Sequence, residues 1–272
     1  MRFFDNIKHN LQLQNRLTIL IAINVAIFLI ANLSQNLTSL NLVPYLGLPA
    51  ELNEFVYKIW TLFTYMFTHT SLMHILYNLL LLYFSGQIFY SILGEKRLLY
   101  VYIISGLAGG LIFNLMGMLA PDLMTGNYLI GASAAIMGVV AVSAIYAPNL
   151  EVNLYFIITM PYKYFAILVF VLSTLIDFAV NTGGKISHIG GALFGLFYGL
   201  ALKKGNDWMK FSFMGNRSKN LKIIHKNHQT SAKSTSSDEA YLNLLLDKIS
   251  KSGYDSLTKK EKEDLFRFSQ KK

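Results

Sequence analysis

Ser133 stands in the run Gly131-Ala132-Ser133-Ala134-Ala135-Ile136-Met137-Gly138, a hydroxyl among small residues where an apolar stretch begins. Small residues let a second helix come close and leave room for a carbonyl beside the hydroxyl. Serine is a poor nucleophile until a base takes its proton, and His188, in Ser187-His188-Ile189-Gly190-Gly191, is a base of the right kind on a different stretch. His74 and Asn78, four apart, share one face of a helix and offer the donors that a tetrahedral oxyanion needs. The chemistry these types suggest is acyl transfer through an activated serine. Each residue also has a quieter reading: a packing serine bonded to its own backbone, a satisfied interior histidine, an asparagine joining two helices.

The elements that must hold these groups follow from composition. Of 272 residues, 53% are apolar and only 14% charged, whereas soluble domains carry about 25% charged residues. The charges crowd into the region beyond Lys204, which describes a polytopic membrane protein with a soluble tail. The net charge of +9 reads as a topology signal and an affinity for anionic lipid, not as a nucleic-acid site. The absence of cysteine excludes disulfides, thiolate metal sites and a cysteine nucleophile. The N-terminus lacks the pattern of a cleaved secretory signal, so the first apolar run is expected to remain as a span.

The all-α expectation is six spans, at about 17–33, 71–93, 98–119, 130–146, 163–180 and 186–202, preceded by a cytoplasmic segment 1–16. Residues 34–70 mix aromatics with Pro44, Pro49, Glu51 and Glu54 and suit an element lying in the membrane interface. Residues 148–162 read as a short loop and 181–185 as a tight turn. With the N-terminus inside, Arg2, Lys8, Arg16, Lys96, Arg97, Lys163, Lys203 and Lys204 lie on the inner side, against Lys58 and Lys185 outside. Both termini are therefore expected in the cytoplasm. A basic linker, 205–238, leads to a small cytoplasmic helical hairpin, 239–272, whose second helix opens with the capping box Thr258-Lys259-Lys260-Glu261. Its apolar face is small, and a cytoplasmic partner for it is the expectation.

Polar side chains inside spans are costly and default to a functional reading. Topology places His74, Asn78, Ser133 and His188, from three spans, in one outer layer. Gly191, Gly195 and Gly199 form a small ridge on the sixth span, answered by Ala134 and Gly138 on the fourth, so the two helices can approach closely. Asp177 is a lesser candidate to orient His188. Asn114 and Glu95 read as structural, with Glu95 pairing Arg97. His69 and His74, five apart, point to different faces, and no H-E-x-x-H is present, so neither a zinc pair nor any other metal is expected. A transporter would place its polar groups near the midplane and show internal repeats; neither is read here.

Over roughly Trp60 to Lys203 the chain resembles the rhomboid family of intramembrane serine proteases. The resemblance rests on H-x-x-x-N (His74, Asn78), G-x-S (Gly131, Ser133) and the S-H-I-G-G-A-L-x-G run around His188, with support from the stretch Trp60–His69 and the turn Gly94-Glu95-Lys96-Arg97. It implies a six-span bundle, a Ser133–His188 dyad without cofactor, and an oxyanion pocket from His74, Asn78 and the Ser133 backbone N–H beside Gly131. It also implies a multi-pass protein of the cell's inner membrane that cleaves single-span proteins in or near the outer part of the bilayer, with water entering from outside. The alternative is a catalytically inactive relative that binds membrane clients. Three positions depart from the family pattern: Ala134 replaces a glycine, Thr61 an arginine, and Met137 an aromatic. A positive φ at residue 134 would strain alanine; a helical first turn would not.

Overall fold

The computed structural model describes residues 15–123, 128–154, 158–175, 182–213 and 235–270. The chain divides into two compact units, Met1–Asn216 and Arg217–Lys272. Most of the expected N-terminal segment, Asp177, and residues 214–234 of the expected linker lie outside the described residues.

The first unit is built from α1 (Asn15–Thr38), α2 (Leu72–Leu93), α3 (Glu95–Leu119), α4 (Ser133–Tyr146), α5 (Tyr162–Phe170) and α6 (Thr182–Lys203). Four of these, α1, α2, α3 and α6, are long and apolar enough to cross a membrane, while α4 and α5 are shorter apolar helices. A backbone in lipid must satisfy its own polar groups, which is why these apolar stretches are helical. Their outward faces carry Ile30, Leu33, Leu72, Met73 and Ile167, all exposed. Such surface needs an apolar solvent.

At the centre, α3, α4 and α6 pack on one another and α2 packs on α4. Helix α4 is buried from Ala134 through Val140. Its 14 residues, at about 1.5 Å each, fall short of the ~30 Å hydrocarbon layer. The seam between α4 and α6 is made by glycine. A Cβ at Gly195 would lie 2.5 Å from the Gly138 carbonyl oxygen, and one at Gly191 would overlap the Ala134 carbonyl. Gly138 in turn faces Ser105 of α3, so the small ridge on α4 serves two neighbours and not α6 alone. Residue 134 is helical and its methyl opposes Gly109 of α3, so alanine there needs no positive φ.

The connection from α1 to α2 is folded, with short helices at Val43–Leu46, Leu52–Tyr57 and Thr61–Thr64. Its strand β1 (Leu48–Pro49) pairs antiparallel with β2 (Tyr128–Leu129), just ahead of Gly131. The segment is pinned by hydrogen bonds to backbone carbonyls: Lys58 Nζ to Pro44 (2.8 Å), Trp60 Nε1 to Tyr45 (2.9 Å) and Thr64 Oγ1 to Leu46 (2.7 Å). Thr61, where the family pattern has arginine, bonds the Lys58 carbonyl at 2.6 Å. Glu54 accepts from Lys58 Nζ and from Tyr128 Oη, and these two bonds hold its carboxyl below the usual range. The same bond to Glu54 pushes the Tyr128 phenol up to about 12. Deeper in, Tyr65 Oη donates to the Gly106 carbonyl (2.6 Å), Tyr102 Oη to that of Met66 (3.2 Å) and Asn114 Nδ2 to that of Pro49 (2.7 Å). Each such buried bond contributes about 1 kcal/mol net.

Several expectations are corrected. The expected loop 148–162 contains two short strands, β3 (Glu151–Leu154) and β4 (Ile158–Pro161), paired antiparallel. The described part of the expected turn, Thr182–Lys185, is already the first turn of α6. Glu95 pairs with Arg16 (3.7 Å), not with Arg97. Arg97 reaches Asp207 instead, at 3.0 Å from Nε and 2.8 Å from Nη2. Residues 95 and 97 point to different sides of α3, because neighbours on a helix meet at three- and four-residue spacing. Asp207 also accepts from Tyr198 Oη (2.7 Å) and from the Met209 N–H (3.2 Å). Burial pushes the Asp207 carboxyl up, but Tyr198 and Arg97 outweigh it and hold it low. A short helix, Trp208–Phe213, follows where the linker was expected to begin.

The second unit contains α7 (Thr235–Ser252) and α8 (Lys259–Gln270). Its interior holds Leu245 and Leu257, while Leu244 and Phe266 are exposed. Glu261 accepts the Thr258 N–H at 2.7 Å, and its own N–H points to Thr258 Oγ1 at 3.4 Å. Lys248 Nζ bonds both Glu261 oxygens at 2.8 and 2.9 Å. Lys248 first, then Thr258, lowers the Glu261 carboxyl to about 2.

Candidate active site

Ser133 is the first residue of α4. The turn that delivers it is built on Gly131, whose φ of 113° is open to glycine and costly for other residues. A Cβ at Gly131 would also stand 2.7 Å from His74 Cε1 and Nε2, so the His74 ring lies directly over the turn. The Gly131 N–H is fixed by the Tyr65 carbonyl at 2.9 Å. His69, buried in the segment before α2, faces the Ala132 N–H with Nε2 at 3.4 Å and meets the His74 ring edge-on at 4.9 Å. Burial, then His74, takes His69 down to about 4, which leaves a neutral ring able to accept. The rings of His69 and His74 are thus in contact, contrary to the expectation that they point apart.

His188 lies in the second turn of α6, buried, with Nε2 at 2.6 Å from Ser133 Oγ. Its Nδ1 is 3.1 Å from the Ser173 carbonyl oxygen. A carbonyl only accepts, so the proton sits on Nδ1 and Nε2 is left to accept the serine hydroxyl. This is the arrangement in which an imidazole can take a proton from a serine as it attacks. Asn78, buried on α2, donates through Nδ2 to the His74 carbonyl at 2.8 Å. An amide nitrogen carries two hydrogens, so one remains for another acceptor.

The structure therefore brings Ser133 to His188 and His74 to Gly131, with Asn78 on the same face of α2 as His74. Two contributors were not foreseen. His69 was weighed only as a metal ligand. The Ser173 carbonyl is a backbone group, and no residue type announces it. Met137, four residues after the serine, is buried with Sδ at 3.6 Å from Ser173 Oγ. Among the described residues, no group of three His, Asp or Glu side chains is placed to hold a metal ion.

The apolar helices of the bundle describe a multi-pass membrane protein, within which Ser133 Oγ and His188 Nε2 lie 2.6 Å apart. A model of the rhomboid domain matches residues 57–205, more than half of the chain, and the chain belongs to the rhomboid family. It is 30% identical over 149 residues to Rhomboid protease AarA of Providencia stuartii, a match covering 50% of this chain and 53% of that protein. The chain thus spans about half the length of the curated relative it matches. A family of unknown function (DUF6576) matches residues 232–271.

Proposed function

We propose that this chain is a serine endopeptidase of the bilayer, cutting single-span membrane proteins through a Ser133–His188 dyad. The observation that carries this reading is the 2.6 Å contact between Ser133 Oγ and His188 Nε2, on a ring whose other nitrogen is engaged. His188 takes the Ser133 proton while Oγ attacks the peptide carbonyl. The oxyanion is met by the Ser133 backbone N–H, His74 and the free amide hydrogen of Asn78. His188 then gives its proton to the leaving amine, and water releases the acyl-enzyme by the reverse sequence. A helical substrate shields its carbonyls, so residues that weaken a helix near the cut are the expected preference.

In this reading six helices span the inner membrane, with both termini in the cytoplasm and the site in the outer layer, reached by water from outside. The basic-residue asymmetry supports that orientation, and the shortness of α4 suits a serine set below the surface. The partners are transmembrane substrates and the lipid bilayer. Beyond the helix Trp208–Phe213 a basic linker leads to a cytoplasmic module that carries α7 and α8 and has a partner of its own. The test is cleavage of a model single-span substrate in liposomes by the wild type, Ser133→Ala and His188→Ala. Both variants are expected to lose at least about a thousandfold in kcat. Cutting at near wild-type rate by either one overturns the dyad.

A further inference from the structure

The ring of His188 is oriented by a backbone group on a different helix. After Phe170, α5 widens into a π-helical turn, Val171–Leu175. Such turns leave carbonyls out of the ordinary i to i+4 ladder and recur at functional sites. Within this one, Ser173 Oγ donates to the Val169 carbonyl at 2.7 Å, with the Phe170 carbonyl at 3.4 Å. The Ser173 carbonyl points the other way, to His188 Nδ1 at 3.1 Å, and α6 packs against this turn. The contact gives the imidazole a fixed acceptor on a neighbouring helix. The hydrogen bond made by one ring nitrogen sets which nitrogen carries the proton.

We infer that the Ser173 carbonyl is the positioning group of the base: it holds His188 as the Nδ1–H tautomer and ties the competence of the dyad to the seating of α5 on α6. The inference rests on the dyad proposed above. During attack the Ser133 proton passes to Nε2 and the positive charge on the ring is met by the oriented carbonyl dipole. The contact matters more in the transition state than in the ground state, so its loss appears in kcat and not in KM.

The test replaces the Ser173–Thr174 peptide bond by an ester, which weakens that carbonyl as an acceptor and removes the Thr174 N–H while keeping every side chain; the control loses an N–H in the same way. The control is the same replacement between Ile167 and Leu168, with folding of both checked by thermal unfolding. The ester at 173–174 is expected to lower kcat about tenfold with KM within about twofold, and the control to keep wild-type kcat. In parallel, 15N spectra of histidine-labelled wild type, assigned against His188→Gln, are expected to show His188 protonated on Nδ1 alone. Unchanged kcat in a folded 173–174 ester, or a His188 proton on Nε2, overturns the inference. If the ester variant does not fold, the tautomer in the wild type decides. Failure of the dyad itself is distinguishable, because Ser133→Ala would then still cut.

Discussion

The α4–α6 seam and the C-terminal hairpin are both helix pairs, yet they are held by different forces. The seam has no ion pair among its described residues at the site: glycine meets carbonyl and serine meets imidazole, while the π-helical turn beside it sets a carbonyl against the same imidazole. The hairpin uses Lys248 on Glu261, Glu261 on the Thr258 N–H, and two buried leucines. Lipid supplies no hydrophobic drive between helices, so close packing and uncharged hydrogen bonds must do the joining. Water supplies that drive and also solvates charge, so a small unit can lean on caps and exposed pairs. The site follows from the first regime. A seam tight enough to bring a short serine to a histidine is one in which a single added carbon has nowhere to go.

The glycines of the two regions put this difference to the test. Gly191→Val would drive a side chain into the Ala134 backbone, which cannot yield; we expect a loss of about 3 kcal/mol or more and no cleavage, read by thermal unfolding and the liposome assay. Gly253 has φ of 77° but open space around it, so Gly253→Ala is expected to cost only about 1 kcal/mol of local stability and to leave cleavage intact. Equal effects would remove the distinction.

Gly131→Ala comes next. It meets both a positive φ and the His74 ring, and moves the turn that sets Ser133. A fall in kcat of about a hundredfold is expected from a protein that still folds.

Asp207→Asn probes the C-terminal end of α6. The Asp207 carboxyl is held below its ordinary value, so its contribution is present above the ordinary carboxylate range and fades as pH falls through the lowered folded value. The variant is expected to unfold a few degrees lower at pH 7, by about 1 kcal/mol because Arg97 is partly exposed. The gap to wild type should narrow on acidification. A gap that persists at acid pH means that shape and not charge is at work.

The smallest effect belongs to Lys248→Ala. Loss of the Glu261 partner should raise that carboxyl from about 2, so the Thr258 N–H resonance titrates at higher pH than in wild type. Cleavage should not change.

Much of the candidate site was legible because it is written in side chains: Ser133, His188, His74 and Asn78 each announce themselves as polar groups in apolar runs. Gly131 was legible as a small residue, although its positive φ was not. What stayed hidden is backbone. The π-helical turn, the Ser173 carbonyl and the grip of Tyr65 on Gly131 leave no compositional trace. Arg97 was matched to the nearest acid in sequence, whereas its partner lies 110 positions away. The β3–β4 pair escaped because its strands have four residues each, too few for an alternating pattern to stand out. Asp177, the acid that the sequence offered for His188, lies outside the described residues, and the ring's Nδ1 faces a carbonyl.

The central claim is that His188 makes Ser133 a nucleophile. The most direct measurement is covalent labelling of the full chain in liposomes with a fluorophosphonate, followed by peptide mass spectrometry. One adduct is expected, on Ser133, and it disappears in His188→Ala while the fold persists. An adduct formed equally well without His188, or no adduct on Ser133 in a folded wild-type protein, contradicts it.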